Sequence, residues 1–230
     1  MAEYEFFHYD EKQYSEYLAF NQEESYFFIH GGAFDKTDRT DYSTVSKNFN
    51  IKKFSASVVN KNNKTYSRFS FPAKVFYAME DIPEVKWQIT DERKEILGYN
   101  ARKAVTEFRG RRYTAWFTME IMSHYGPWKL NGLPGLILEV SDSNNAYKYV
   151  IKSLNLNTDL WIPENAVAYV DNEMAKAIPF KDAVTLENDK LQNNLNKIMA
   201  SFPAGTSFKA SPLRSEMKEV SFEWEATQKP

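Results

Sequence analysis

Over 230 residues the chain carries 43% hydrophobic and 26% charged side chains, a formal net charge of −2 and no cysteine. That length suits one sizeable domain. The near-neutral charge gives no bulk attraction for nucleic acid, and the missing thiols exclude disulfides, thiolate nucleophiles and cysteine-ligated zinc.

Fourteen Tyr and seventeen Phe against eight Gly suit strands, where aromatic side chains pack well on a pleated surface. No run approaches the roughly 18–20 apolar residues needed to span a bilayer, so no transmembrane segment is expected. The chain runs from Met1-Ala2 straight into Glu3-Tyr4-Glu5-Phe6-Phe7 without a signal peptide. Such a start is either native or a start codon set on a mature, exported chain.

In chain order, the dominant pattern is short alternating runs separated by polar turns. Residues 13–20 and 24–30 give the first two strands. Residues 54–60 and 65–71 form a hairpin around Lys61-Asn62-Asn63-Lys64, and residues 73–79 follow Pro72. Over 99–108, Asn100, Arg102, Ala104, Thr106 and Phe108 share one face, and Tyr99, Ala101, Lys103 and Val105 the other. Arg109-Gly110-Arg111 reverses the chain. Tyr113, Ala115, Phe117, Met119 and Ile121 then make an apolar face alternating with Thr114, Trp116, Thr118 and Glu120, which fixes the register. Residues 136–140 and 146–156 pair around Ser141-Asp142-Ser143-Asn144-Asn145. A helix over 182–202 carries Leu186, Leu191, Leu195, Ile198 and Met199 on one stripe and ends at Pro203 and Gly205; a short second helix falls at 172–177. Near the end, Lys218, Val220, Phe222 and Trp224 alternate with Glu219, Ser221, Glu223 and Glu225 as a half-buried final strand. The expected fold is mainly β (α+β), a single domain over 1–230. It is one large curved antiparallel sheet or half-open barrel, with one helix from the C-terminal half packed on it.

Five of the eight glycines lie between Gly98 and Gly135, together with Trp116 and Trp128. Leu133-Pro134-Gly135-Leu136 fits a type II turn, because Pro presets φ at its second position and Gly supplies a positive φ at its third. Gly126-Pro127 forces an extended residue before the proline. This ordered loop either serves recognition or crosses the end of a sheet and plugs its core with Trp128 and Leu130. The second is the plainer expectation.

Gly132-Leu133-Pro134-Gly135-Leu136-Ile137 is the hexapeptide that names the GLPGLI family, a group of envelope proteins from Bacteroidota. Trp87 with Ile89, Ile96-Leu97-Gly98-Tyr99, Lys103-Ala104, Phe108-Arg109-Gly110-Arg111, Ala115-Trp116-Phe117, Gly126-Pro127-Trp128-Lys129, Leu138-Glu139 and Asp142 resemble that family's blocks in order, making 87–142 a signature segment. A weaker Leu18-Phe20-Ser25-Phe27 pattern resembles its N-terminal half. The chain departs in lacking a signal peptide and in carrying Ala101 where relatives often have cysteine. The resemblance implies a non-enzymatic, exported protein, periplasmic or outer-membrane associated. Its partner would be a hydrophobic ligand, a lipidated chain or an outer-membrane protein. Trp116, Trp128, Leu133, Pro134 and Leu136 are the candidate binding residues, with Gly132, Pro134 and Gly135 as the structural turn.

The alternative is a hydrolase in which His124 works with Glu120 or Asp142 as an acid–base pair. His8, His30 and His124 have no metal-ligand spacing, and Ser123 lacks the nucleophile-elbow pattern, so neither metal nor cofactor is expected. The pairs Glu92/Glu95 and Glu23/Glu24 lie in charge-rich segments and read as solvated. Arg109, Arg111 and Arg112 either grip an anion or form a solvated hairpin tip. The five tryptophans, Trp87, Trp116, Trp128, Trp161 and Trp224, would line a cavity or fill a core, and the filled core is favoured.

Overall fold

A computed structural model describes residues 1–29, 54–72, 74–156, 162–203, 206–207 and 211–228. His30, Gly31-Gly32, Trp161 and Gly205 lie outside them. Among the described residues twelve strands join in one sheet. They are β1 (Ala2–His8), β2 (Glu11–Phe20), β3 (Ser25–Ile29), β4 (Ser55–Lys61), β5 (Lys64–Phe71), β6 (Lys74–Asp81), β7 (Gln88–Ile96), β8 (Tyr99–Phe108), β9 (Arg111–Thr118), β10 (Leu136–Asp142), β11 (Lys148–Leu154) and β12 (Ile178–Pro179). The spatial order is β12-β6-β5-β4-β3-β2-β1-β11-β10-β9-β8-β7, with only the β12–β6 pair parallel. Two meanders therefore run outward from the antiparallel β1–β11 pair.

Local chemistry sets most of the reversals. Four hairpins turn on two residues with positive φ: Tyr9-Asp10 (49°, 61°), Asn62-Asn63 (55°, 59°), Leu97-Gly98 (51°, 81°) and Arg109-Gly110 (47°, 81°). This left-handed pair matches the right-handed twist of the flanking strands. The main expected strands are present. β1, β7 and the two-residue β12 lie outside the expected strands, although the burial of β1 alternates with Ala2, Tyr4 and Phe6 inward.

The two faces of the first meander bury different partners. Leu18, Phe27 and Val58 join Tyr4, Phe6, Phe108, Tyr113 and Phe117 in the largest core cluster. Their neighbours Ala19, Tyr26, Phe28 and Val59 turn the other way, onto Ala166, Val170 and Met174 of helix α1 (Glu164–Met174). The short helix expected at 172–177 thus lies earlier in the chain. Helix α2 (Phe180–Ala200) buries apolar side chains through its first turn, with Phe180, Ala183 and Val184 against Phe76, Ala78 and Phe222, while farther along Glu187 and Asn188 accept from Arg214 and Lys190 lies over Phe71. Most of the expected stripe stays open: Leu186, Leu195, Ile198 and Met199 are exposed and Leu191 is half-buried. No described helix is long and apolar enough to cross a membrane.

Three further expectations are corrected. β9 stops at Thr118, leaving Met119 exposed. Gly135 is not in the positive-φ region; Gly132 is, at 87°, so the type II turn does not form. Gly135 is required for space, because a Cβ there would lie 2.0 Å from the Thr118 carbonyl oxygen. Finally, residues 211–222 form no strand, and a 3₁₀ turn (Glu223–Gln228) follows them. The alternation is real, but the partners that meet it are side chains and not a ladder.

Candidate functional site

The C-terminal segment lies across the β8–β9 turn. A side chain on Gly110 would meet Ser221 Oγ at 2.8 Å and Val220 Cβ at 2.9 Å, so only glycine allows this approach. The Val220 and Ser221 amides donate to the Arg109 carbonyl at 2.9 and 3.3 Å. Around this crossing, three groups of charged side chains are drawn out of water.

The first gathers four segments remote in sequence. Arg109, its side chain 3% exposed, donates to Glu80 Oε1 and Oε2 at 3.1 and 2.5 Å, to Glu223 Oε1 at 3.1 Å, and to Glu219. Lys129, its side chain 1% exposed, donates to Glu80 Oε1 and Glu219 Oε1, both at 2.9 Å. The Phe180 ring centroid lies 3.7 Å from Lys129 Nζ and 5.0 Å from the Arg109 guanidinium carbon. Burial opposes ionisation of Glu219, but the charges of Lys129 and Arg109 outweigh it and hold its carboxyl below the usual carboxylate range.

In the second group, Arg111 donates to Asp142 Oδ2 at 2.8 Å, to the Met217 carbonyl at 2.8 Å and to the Ser215 carbonyl at 3.0 Å. Asp142 Oδ1 accepts from the Tyr147 amide at 2.8 Å. In the third, Lys218 donates to the Tyr149 hydroxyl among aromatic rings, with the buried Glu16 carboxyl as its nearby opposite charge. Burial there pushes the Glu16 carboxyl up against the opposing charge of Lys218, and pushes the Lys218 ammonium down.

The residues singled out from sequence are distributed as follows. Arg109 and Arg111 meet the chain's own carboxylates, while Arg112 is exposed beside them. Trp128, Leu133 and Leu136 are buried in the largest core, with Trp128 6.0 Å from Phe108 and 6.5 Å from Tyr113, centroid to centroid. Trp116 alternates away from Tyr113 and Phe117 along β9 and carries Lys94 Nζ 4.4 Å above its ring. Pro134 is exposed. The acid–base pair does not assemble: exposed His124 rests on the Tyr125 ring, Glu120 Oε1 accepts from the Asn100 amide at 2.9 Å, and Asp142 belongs to Arg111. Among the described residues no three His, Asp or Glu side chains are grouped to hold a metal. Glu16, Glu80, Lys129, Lys218 and Glu219 join the site without being candidates from the sequence. The signal available for Lys218 was its place on the apolar side of the alternation at 218–224.

A family model described as N-glycanase peptide, N-terminal domain, matches residues 37–182. Two solved structures are similar in part. PNGF-II in space group P21 aligns with TM-score 0.47 and 19% identity over 75% of this chain and 32% of its own. PNGF-II in space group C2 aligns with TM-score 0.45 and 18% identity over 76% of this chain and 32% of its own. The chain thus spans about a third of the length of those structures. A search of curated proteins finds no match.

The family match overturns the GLPGLI resemblance. The glycines of the shared blocks answer backbone demands: Gly132 has positive φ, while Gly126 and Gly135 have no room for a Cβ. Such residues report how a loop is folded and do not identify what it does. The non-enzymatic envelope role falls with the resemblance, and the hydrolase alternative is the better supported of the two, without its His124 pair. With more than half its length matched, this chain belongs to the family of N-glycanase N-terminal domains.

Proposed function

We propose that this chain serves a hydrolase acting on N-linked glycans, as that enzyme's N-terminal domain. The family match over residues 37–182 carries the reading. The geometry supports a positional part in the reaction. Glu80, Glu219 and Asp142 are engaged by Arg109, Lys129 or Arg111, and Glu16 is buried within the field of the Lys218 charge. None of these carboxyls stands free in a cleft to exchange a proton with a substrate. The domain instead holds a rigid twelve-stranded frame whose open features are the apolar stripe of α2 and the charged edge strand β7. An exported location, periplasmic or outer-membrane associated, fits a substrate carried on glycoproteins.

The test is glycan release. The protein as its cells make it is incubated with a peptide bearing one N-linked glycan, and the products are read by mass spectrometry. Release of the glycan is expected, with His124→Ala releasing it at the wild-type rate. Absence of release from both the glycopeptide and a denatured glycoprotein overturns the reading.

A further inference from the structure

Lys218 is anchored where lysines are seldom found. Its Nζ lies 4.8 Å from the ring centroid of Phe6, 5.8 Å from Trp128, 5.5 Å from Tyr147 and 5.1 Å from Tyr149, and it donates a hydrogen bond to the Tyr149 hydroxyl. Glu16, 2% exposed, supplies the counter-charge from β2. Four aromatic faces around one ammonium are an arrangement otherwise used to recognise cationic ligands.

The backbone that delivers this lysine behaves like a bound peptide and not like part of the sheet. Residues 214–219 have no ladder partner. Their carbonyls are instead met by side chains of the sheet: Ser215 and Met217 by Arg111, Glu216 by the Tyr147 hydroxyl at 2.5 Å, and Lys218 by the Tyr113 hydroxyl at 3.4 Å. Tyr9 holds the Glu216 carboxylate.

We propose that Phe6, Trp128, Tyr147, Tyr149 and Glu16 form a binding site for a primary alkylammonium group, with Lys218 of the chain itself as the resident ligand. The choice of a primary amine over a quaternary one rests on hydrogen bonding. The Tyr149 oxygen accepts from Lys218, and Glu16 Oε2, to which Lys218 makes no hydrogen bond, is a second buried acceptor in the same site. An ammonium bearing N–H groups satisfies such acceptors, and a quaternary nitrogen has no proton to give. The proposal is independent of the glycan-hydrolase reading, since no step of it passes through catalysis.

Lys218→Ala in the full chain empties the cage, and n-butylammonium is the probe, followed by tryptophan fluorescence because Trp128 lines the site. Saturable binding to the variant is expected, with wild type binding at least about tenfold more weakly because its cage is filled. Adding Glu16→Gln weakens binding by about tenfold, the scale of a charge-assisted contact removed from a buried site. A folded Lys218→Ala variant with no saturable binding overturns the proposal, as does equal binding by wild type. Tetramethylammonium binding as tightly as n-butylammonium overturns the primary-amine assignment. Should the variant fail to fold, the wild-type protein decides by NMR. Ring currents from four aromatic faces shift the Lys218 Hε resonances upfield of other lysines, and Hε resonances at ordinary positions overturn the assignment.

Discussion

Replacing Lys129 by methionine keeps the length and most of the volume of the side chain while deleting its charge. The side chain is 1% exposed, and its two partners, Glu80 and Glu219, are 12% and 11% exposed. Losing one member of a buried ion network leaves the others in a poor solvent with less opposing charge, and costs roughly 3–5 kcal/mol. For a chain of this size that corresponds to a fall of roughly 6–20 °C in Tm. The pH dependence tests the cause. The Glu219 carboxyl is held below its ordinary value of 4.5 because Lys129 and Arg109 outweigh burial. A depressed carboxyl contributes stability fully present above its unfolded pKa and lost as pH falls through its folded pKa. Lys129→Met removes part of that contribution, so the deficit is greatest near neutral pH and shrinks as the solution is taken below about pH 4. Urea unfolding of both proteins across this range is the assay, with midpoints compared at constant m. A deficit under about 1 kcal/mol at neutral pH, the size found for exposed pairs, refutes the reasoning. So does a large deficit that ignores pH.

Other expectations follow from single contacts. Gly135→Ala, whose new Cβ would lie 2.0 Å from the Thr118 carbonyl oxygen, is expected to cost roughly 3 kcal/mol or more in urea unfolding; a loss within about 0.5 kcal/mol would show that the strands can part there. Tyr4→Phe removes a fully buried hydroxyl that donates to the Ile137 carbonyl at 2.7 Å, so thermal unfolding should show a loss of about 1 kcal/mol with the strands intact by circular dichroism. Phe180→Ala should cost roughly 3–5 kcal/mol, because that ring is buried among Phe69, Phe222 and Trp224. Ile198→Glu, on the exposed stripe of the same helix, should stay within about 0.5 kcal/mol of wild type by the same measurement.

Hairpins were the most legible part of the fold because their instructions are local. Asn62-Asn63 and Arg109-Gly110 sit between alternating runs, and a two-residue reversal leaves little freedom in pairing. β7 was not legible, since its charged, mostly exposed run offers no apolar face and its register slips between Ile89 and Arg93. α2 was found from its periodic stripe, yet the same stripe misjudged its packing. Periodicity shows which residues could share a burial surface, and Leu195 and Ile198 stay exposed among the described residues. Of the candidate site, the sequence singles out Arg109, Arg111, Trp128 and Asp142 but not the partners they meet. Glu219 stands 110 positions from Arg109 and 90 from Lys129, and nothing local in either segment points across that gap.

The C-terminal segment explains why side-chain chemistry was harder to read than strand pairing. An alternating run carries the same pattern whether a ladder or a set of side chains receives it. At 218–222, Lys218 and Phe222 do turn inward as alternation requires. What decides against a strand is that the backbone there is already claimed: Arg111, Tyr113 and Tyr147 take its carbonyls, and the Arg109 carbonyl takes two of its amides. Each partner sits on or beside β8, β9 or β11, so the surface that receives the segment is assembled by those strands. Its order is a consequence of the sheet, and a local pattern cannot encode a surface that exists only once the rest of the chain has folded.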